Sequence, residues 1–234
     1  MKTFIIGDIH GCAKALERLL IKLRPNEDRD RLILLGDLFD RGPDSFEVFR
    51  MAVDLAGMFG ENFCLLRGNH EDYLLREKLS FAQRLTWNRV GRQATVRSFH
   101  DHGMQMEDTI PWIRDHVKLF YRDDTIQCVH AGCMVEPIEA NTENTLIHDH
   151  SVGRANRYSG RLTVTGHIAL EAPTWFAGDG KTLQMIHRGE WYPLPTQGIL
   201  CIDTGCGKGG RLTGMVLEDS KDGLHYRLEG VAEE

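Results

Sequence analysis

Three short apolar runs in the first third of the chain each end in glycine, a carboxylate or amide, and a basic or imidazole group. Gly36-Asp37-Leu38-Phe39-Asp40-Arg41-Gly42 is the densest of these ends. It sets two carboxylates and a guanidinium between two glycines, directly after the buried-strand pattern Arg31-Leu32-Ile33-Leu34-Leu35. A solvated surface turn has the same composition, so this stretch alone leaves both readings open. Recurrence separates them. Lys2-Thr3-Phe4-Ile5-Ile6 runs into Gly7-Asp8-Ile9-His10-Gly11, and Asn62-Phe63-Cys64-Leu65-Leu66 runs into Arg67-Gly68-Asn69-His70-Glu71. Further on, Thr125 to Val129 leads to His130-Ala131-Gly132, and Leu162-Thr163-Val164-Thr165 leads to Gly166-His167. Function-bearing loops in α/β folds lie at the carboxyl ends of strands, so five strand ends are expected to meet at one rim.

Together those ends supply Asp8, His10, Asp37, Asn69, His130 and His167, oxygen and imidazole donors without a thiolate. Such a set suits manganese, iron or zinc in a reactive site, not a Cys-rich structural zinc site. Six donors exceed what one catalytic ion with an open position takes, and they fit two ions that share a carboxylate. Asp37, from the middle strand of the first three, is the expected bridge. Two ions about 3.5–4 Å apart can clamp an in-line displacement at phosphorus and acidify a bridging water, so no Ser or Cys nucleophile is needed. His70 follows Asn69 and is placed to protonate the leaving oxygen. Asp40 is expected to hold that imidazole charged, and Arg41 offers a planar fork for two phosphate oxygens. Each residue alone has an ordinary explanation, an Asp in a turn or a His satisfied in the core. Their joint occurrence at five strand ends carries the functional reading.

The elements that must position these groups follow from periodicity. Residues 13–23 carry leucines at helical spacing and stop before Pro25, and residues 44–58 repeat the pattern, with an end expected near Gly57. Strand, helix, strand, helix, strand implies right-handed crossovers and parallel pairing. From 71 to about 115 the strand signal disappears and a helical insertion is expected beside the site. Its Arg89, Arg92 and Arg97 read either as a solvated face or as contacts to an anionic substrate. Residues 117–121 and 125–129 predict a hairpin turning at Asp123-Asp124, and residues 134–160 are polar and irregular. Short β-like runs at 174–177, 182–187, 198–203, 211–218 and 224–228 suggest antiparallel pairing.

With 234 residues, 41% of them hydrophobic, the chain fits one domain with a real core. A net charge of −6 and a pI near 6.0 argue against a nucleic-acid footprint. Six cysteines form no CxxC pair, which favours free thiols and a reducing compartment. No apolar stretch approaches the ~18 residues of a membrane span, and no cleavable leader stands at the N-terminus, so a cytoplasmic protein is expected.

The motifs at 7–11, 36–42 and 67–71, with Val129-His130-Ala131-Gly132 and Thr165-Gly166-His167, resemble the signature of the calcineurin-like metallophosphoesterases. The Asp-Arg-Gly and Asn-His-Glu forms resemble its phosphoprotein phosphatase branch, and Ile202-Asp203-Thr204-Gly205 resembles a late strand end of bacterial members. The resemblance implies an α/β fold of two facing mixed β-sheets flanked by helices, a four-layer sandwich. It implies one metal on Asp8, His10 and Asp37 and another on Asp37, Asn69, His130 and His167, with manganese, iron or zinc as the ions. It gives His70 and Asp40 the acid-and-partner roles and Arg41 the phosphate contact. One departure is visible. A second phosphate-binding Arg is usual between the last two His motifs, where this chain has Leu146-Ile147-His148-Asp149-His150; Arg154 or Arg157 could take its place. The implied activity is a bacterial serine/threonine phosphatase acting on phosphorylated proteins. A symmetrical diadenosine tetraphosphate hydrolase or a phosphatase of small phosphate esters would keep the chemistry and change the substrate. A non-catalytic metal-bound binding module is the remaining alternative, and the presence of His70, Asp40 and Arg41 together speaks against it.

Overall fold

The computed structural model describes residues 1–154 and 156–233. The first half alternates strand and helix: β1 (Thr3–Ile6), α1 (Ala13–Leu23), β2 (Arg31–Leu34), α2 (Ser45–Phe59), β3 (Phe63–Leu66) and α3 (Asn69–Leu75). Three more helices follow, α4 (Phe81–Arg89), α5 (Arg92–Asp101) and α6 (Ile110–His116). Then come β4 (Val117–Lys118), β5 (Phe120–Arg122), β6 (Gln127–Val129), α7 (Glu143–His148), β7 (Thr163–Thr165), β8 (Thr174–Phe176), β9 (Leu183–Met185), β10 (Trp191–Pro193), β11 (Ile199–Cys201), β12 (Arg211–Ser220) and β13 (Gly223–Ala232).

The strands form two mixed sheets, ordered β10-β13-β12-β1-β2-β3-β4 and β5-β6-β7-β11-β8-β9. In the first sheet β1 to β4 pair in parallel, and β12 adds antiparallel on the open side of β1. In the second, β6, β7 and β11 pair in parallel. Side-chain alternation along a strand decides what each face buries. Ile5, Ile33, Cys64 and Leu66 point from the first sheet into a shared core with Cys128, Val164 and Leu200 of the second. The intervening Phe4, Ile6, Leu32, Leu34, Phe63 and Leu65 face outward, into a core with α1, α2 and α5. Val129, Ile199 and Cys201 turn to the other outer face and pack on Leu146 and Ile147 of α7. The layers are therefore helices, sheet, sheet and helix, as the resemblance implies.

α1 buries Ala15, Leu16, Leu19 and Leu23 at helical spacing and ends where Arg24 turns left-handed at φ 54°, just before Pro25. α2 runs through Gly57 and ends at Gly60, later than its pattern suggests. The hairpin expected at 117–129 divides: Val117–Lys118 extend the first sheet beside β3, while Phe120–Arg122 pair with Gln127–Val129 in the second. Leu119 thus hands the chain from one sheet to the other. The C-terminal runs pair antiparallel in β8–β9, β8–β11 and β12–β13, as expected, and β11 also pairs in parallel with the earlier β7. A helical turn and α7 occupy part of the segment expected to be irregular. Among the described residues no helix is long and apolar enough to cross a membrane.

Candidate active site

The carboxyl ends of β1, β2 and β3 in one sheet and of β6, β7 and β11 in the other open onto the same place. The first two loops are zipped together by backbone. The N–H groups of Ile9 and His10 both donate to the Asp37 carbonyl (3.1 and 2.8 Å), and Gly42 N–H donates to the His10 carbonyl at 2.9 Å. Six described non-glycine residues have positive φ, and five of them are His10, Asp37, Asp40, Arg41 and His167. Left-handed backbone is unfavourable for such residues, and its concentration here marks a rim whose geometry the surroundings impose.

Asp37 lies at the centre. Its Oδ2 is 3.5 Å from His10 Nε2 and 3.8 Å from His70 Nε2, and its Oδ1 is 3.5 Å from His130 Nε2. Asn69 Oδ1 lies 3.1 Å from His130 Nε2 and 2.8 Å from His167 Nδ1. Asp8 joins through its Oδ2, which accepts the His167 N–H at 2.9 Å. All six residues expected to hold metal are thus brought to one rim. Gly166 permits the last contact: a Cβ there would lie 2.0 Å from Asp8 Oδ1.

The donor set suits cations. His10 Nδ1–H donates to the Phe39 carbonyl at 2.9 Å and His130 Nδ1–H to the Leu35 carbonyl at 2.8 Å. Those bonds fix the tautomers, so both Nε2 lone pairs face inward. His130 Nε2 then meets Asn69 Oδ1 acceptor to acceptor. Burial lowers the pKa of His10, His130 and His167, the last to about 2, so all three are neutral donors. Burial, reinforced by Asp203 and Asp37, raises Asp8 well above the usual carboxylate range. Burial would raise Asp37 too, but the imidazoles around it, His130 first, draw it down. Asp8 Oδ1, His10 Nε2, His167 Nε2 and Asp203 Oδ2 are buried without a hydrogen-bond partner. Convergent lone pairs that nothing satisfies are what a bound cation relieves. Two triples, His10–Asp37–His70 and Asp37–His130–His167, each place their donor atoms within 4.8 Å of one another, and Asp37 is common to both. The first triple contains His70 where the sequence suggests Asp8.

His70 is held from its other side. Its Nδ1 is 2.6 Å from Asp40 Oδ2. Burial works against a charged imidazole, but Asp37 and Asp40 overcome it, and the pKa of His70 is raised overall. Asp40 is itself buried, and it accepts Trp87 Nε1–H at 2.6 Å and Thr95 Oγ1–H at 2.7 Å. Thr95 Oγ1 also accepts the Asp40 backbone N–H at 2.8 Å. The helical insertion thus anchors the Asp40–His70 pair through two residues that sequence reasoning missed. Glu71, the acid of the Asn69-His70-Glu71 motif, has a structural task. It accepts N–H groups from Asp37 and Leu38 (2.8 Å each) and from Gly68 at 3.0 Å, holding two strand-end loops together. Its signal was legible: an acid three residues after the helix-capping Gly68.

Arg41 is half-buried and, among the described residues, its side chain makes no hydrogen bond or ion pair. Arg92 lies over the Trp87 ring at 4.9 Å, whereas Arg89 and Arg97 are exposed. Arg154 and Arg157, considered as a second phosphate contact, instead line a cavity with Phe176 and Lys181 on the outer side of the second sheet. From the segment that stands where that Arg is usual, His150 places its ring 4.4 Å from that of His167.

The calcineurin-like phosphoesterase family model matches residues 1–180. A relative named symmetrical bis(5'-nucleosyl)-tetraphosphatase, from Thioalkalivibrio sulfidiphilus, is 29% identical over 98% of this chain and 100% of its own length. One of the same name from Pectobacterium carotovorum is 25% identical over 94% of this chain and 93% of its own. Among solved structures, a metallophosphoesterase from Sphaerobacter thermophilus superposes with a TM-score of 0.65 at 18% identity, over 100% of this chain and 90% of that one. A protein serine/threonine phosphatase from Saccharomyces cerevisiae superposes with a TM-score of 0.62 at 14% identity, over 98% and 79%. The chain belongs to the calcineurin-like phosphoesterase family.

Proposed function

We propose that the protein hydrolyses phosphoric esters and anhydrides with two divalent cations, and that its substrate is a dinucleoside polyphosphate. The observation that carries the chemistry is the pair of donor triples sharing Asp37, beside a buried His70–Asp40 pair. Asp8, His10 and Asp37 would hold one ion, and Asp37, Asn69, His130 and His167 the other; manganese is the expected metal, with iron or zinc as alternatives. When bound, the ions supply an acidified water and neutralise charge on the phosphoryl group. The protein's own part is orientation and proton control. Asp40, fixed by Trp87 and Thr95, keeps His70 Nδ1 protonated and the ring charged. His70 Nε2–H then faces the reacting centre and can protonate a leaving oxygen. Arg41, whose guanidinium has no hydrogen-bond partner among the described residues, can grip two non-bridging phosphate oxygens. Glu71 fixes the backbone of Asp37, so the shared carboxylate keeps its orientation.

The substrate class rests on the relatives named symmetrical bis(5'-nucleosyl)-tetraphosphatase, which align with nearly the whole chain. Phosphoserine or phosphothreonine in proteins is the second reading, favoured by the Asp40-Arg41-Gly42 and Asn69-His70-Glu71 motifs. Manganese-loaded protein should be assayed in parallel on diadenosine tetraphosphate, a phosphothreonine peptide and p-nitrophenyl phosphate. Cleavage of the first to two nucleoside diphosphates, far faster than the other two, is expected. Preference for the peptide would reverse the substrate assignment, and metal-dependent turnover of none of the three would remove the activity.

A further inference from the structure

All six cysteines are free and buried, and two of them meet. Cys12 Sγ, Cys206 Sγ and a carboxylate oxygen of Glu233 lie within 4.8 Å of one another. Cys12 stands two residues after His10, at the start of α1. Cys206 lies between Gly205 and Gly207, in the loop that follows β11 and Asp203. That loop backs directly onto the site: a Cβ on Gly207 would lie 2.7 Å from His10 Cβ and 3.0 Å from Arg41 Cβ. Glu233, just past β13, tethers it by accepting N–H groups from Gly207 at 2.8 Å and Gly209 at 2.9 Å.

We propose that Cys12 and Cys206 form a reversible disulfide under a peroxide or a small-molecule disulfide, and that its closure switches the site off. The juxtaposition is between two loops that do chemistry, and no step of the hydrolysis uses either thiol. A disulfide needs about 2.0 Å between sulfurs, so the pair closes by an approach of at most about 3 Å. Gly205 and Gly207, at φ 81° and 78°, flank Cys206 with backbone that can turn to allow it. Gly207 must move with Cys206, and it is in contact with His10 and Arg41.

The chemistry balances without a cofactor. Cys12, 5% exposed against 0% for Cys206, meets the oxidant first. Its sulfur attacks a peroxide oxygen, the O–O bond breaks, and a sulfenic acid and one water result. The Cys206 sulfur displaces that hydroxyl, the S–S bond forms, and a second water leaves. Two thiols lose two electrons and the peroxide gains them. A small-molecule disulfide would instead be reduced to two thiols by exchange.

The test treats the whole purified protein with hydrogen peroxide, then alkylates it in denaturant and maps its peptides by mass. Cys12 and Cys206 are expected to become protected together, as one linked peptide pair, while the other four cysteines alkylate. Dithiothreitol should restore both. Turnover should fall with the cross-link by roughly 10²-fold, the scale of a ~1 Å misplacement of reacting groups, and return on reduction. Cys206→Ser should keep its basal activity and resist the oxidant. If that variant does not fold, Cys12→Ser supplies the same thiol readout. Six alkylated cysteines after peroxide, a different pair, or a cross-linked protein of full activity would each overturn the proposal. So would protection that a chelator reverses and a reductant does not, which would make the trio with Glu233 a soft-metal site. The cysteine mapping does not depend on which phosphate ester the protein cleaves, so it stands or falls separately from the substrate assignment.

Discussion

Replacing Asp40 by Asn removes one charge and almost no volume, which makes it a sharp test of the proton-donor assignment. Three donors converge on this buried carboxylate: His70 Nδ1 and Trp87 Nε1 at 2.6 Å, and Thr95 Oγ1 at 2.7 Å. Asn offers one acceptor oxygen, so at least one of them faces an NH₂ group. A buried donor left without an acceptor costs about 1–3 kcal/mol. At ~2–4 °C per kcal/mol for a chain of this size, Tm should fall by roughly 5 °C. The effect on chemistry should be larger and selective. Asp40 is one of the two carboxylates that raise the pKa of His70 against its burial, so the variant imidazole is a poorer proton carrier. General-acid assistance is worth roughly 10²–10⁴-fold, and it matters only where the leaving oxygen needs a proton. Asp40→Asn should therefore lower kcat by roughly 10²–10³-fold on an alkyl phosphate, and by about tenfold or less on a nitrophenyl phosphate. The assay is a series of phosphate monoesters with graded leaving groups at constant manganese, with log kcat plotted against leaving-group pKa. The variant line should be the steeper. Parallel lines would refute the assignment of His70 as proton donor held by Asp40.

Asp37→Asn should reduce bound manganese from two ions per chain to one or none, read by metal analysis after gel filtration; two retained ions would remove Asp37 as the bridge. Gly166→Ala should weaken metal binding by about 10–100-fold, the usual scale for disturbing a ligand's support, because its Cβ would lie 2.0 Å from Asp8 Oδ1; calorimetric titration with manganese measures it, and unchanged affinity would show that Asp8 can turn aside freely. Asp72 is drawn down to about 2, with burial opposing and His148, Arg76 and Arg67 prevailing. A depressed carboxylate pKa favours the fold above the unfolded pKa of ~3.9 and loses that contribution as pH falls towards 2. Denaturant midpoints should thus drop more steeply between about pH 5 and pH 2 in the parent than in Asp72→Asn, and equal slopes would contradict the linkage.

Much of the rim was legible because each candidate ligand follows the end of its own strand by one to four residues. Asp8, Asp37, Asn69, His130 and His167 could be placed from local pattern alone, and so could the crossovers that make β1, β2 and β3 parallel. What escaped was non-local. Trp87 and Thr95 meet Asp40 from 47 and 55 residues away in sequence, and nothing near them in the sequence announces that. The divided hairpin was hidden because Val117-Lys118-Leu119-Phe120-Tyr121 carries no turn residue, and periodicity cannot show a change of sheet at Leu119. β11 meets β8 antiparallel, as its short turns suggest, but its second, parallel pairing is with β7, from which three strands separate it in sequence. Arg154 and Arg157 were considered for a phosphate contact on sequence position alone, and the outer face of the second sheet took them instead.

The place of β1 has a consequence for how the molecule is made. It is flanked by β2 and by β12, with Thr3 opposite Leu217 and Ile6 opposite Gly214. A newly synthesised chain therefore carries its first candidate ligand loop on a strand with one open edge until β12 leaves the ribosome. Metal capture should be a late event in biogenesis, and a nonsense mutation between residues 168 and 210 should yield a sticky apo-polypeptide despite retaining every candidate ligand.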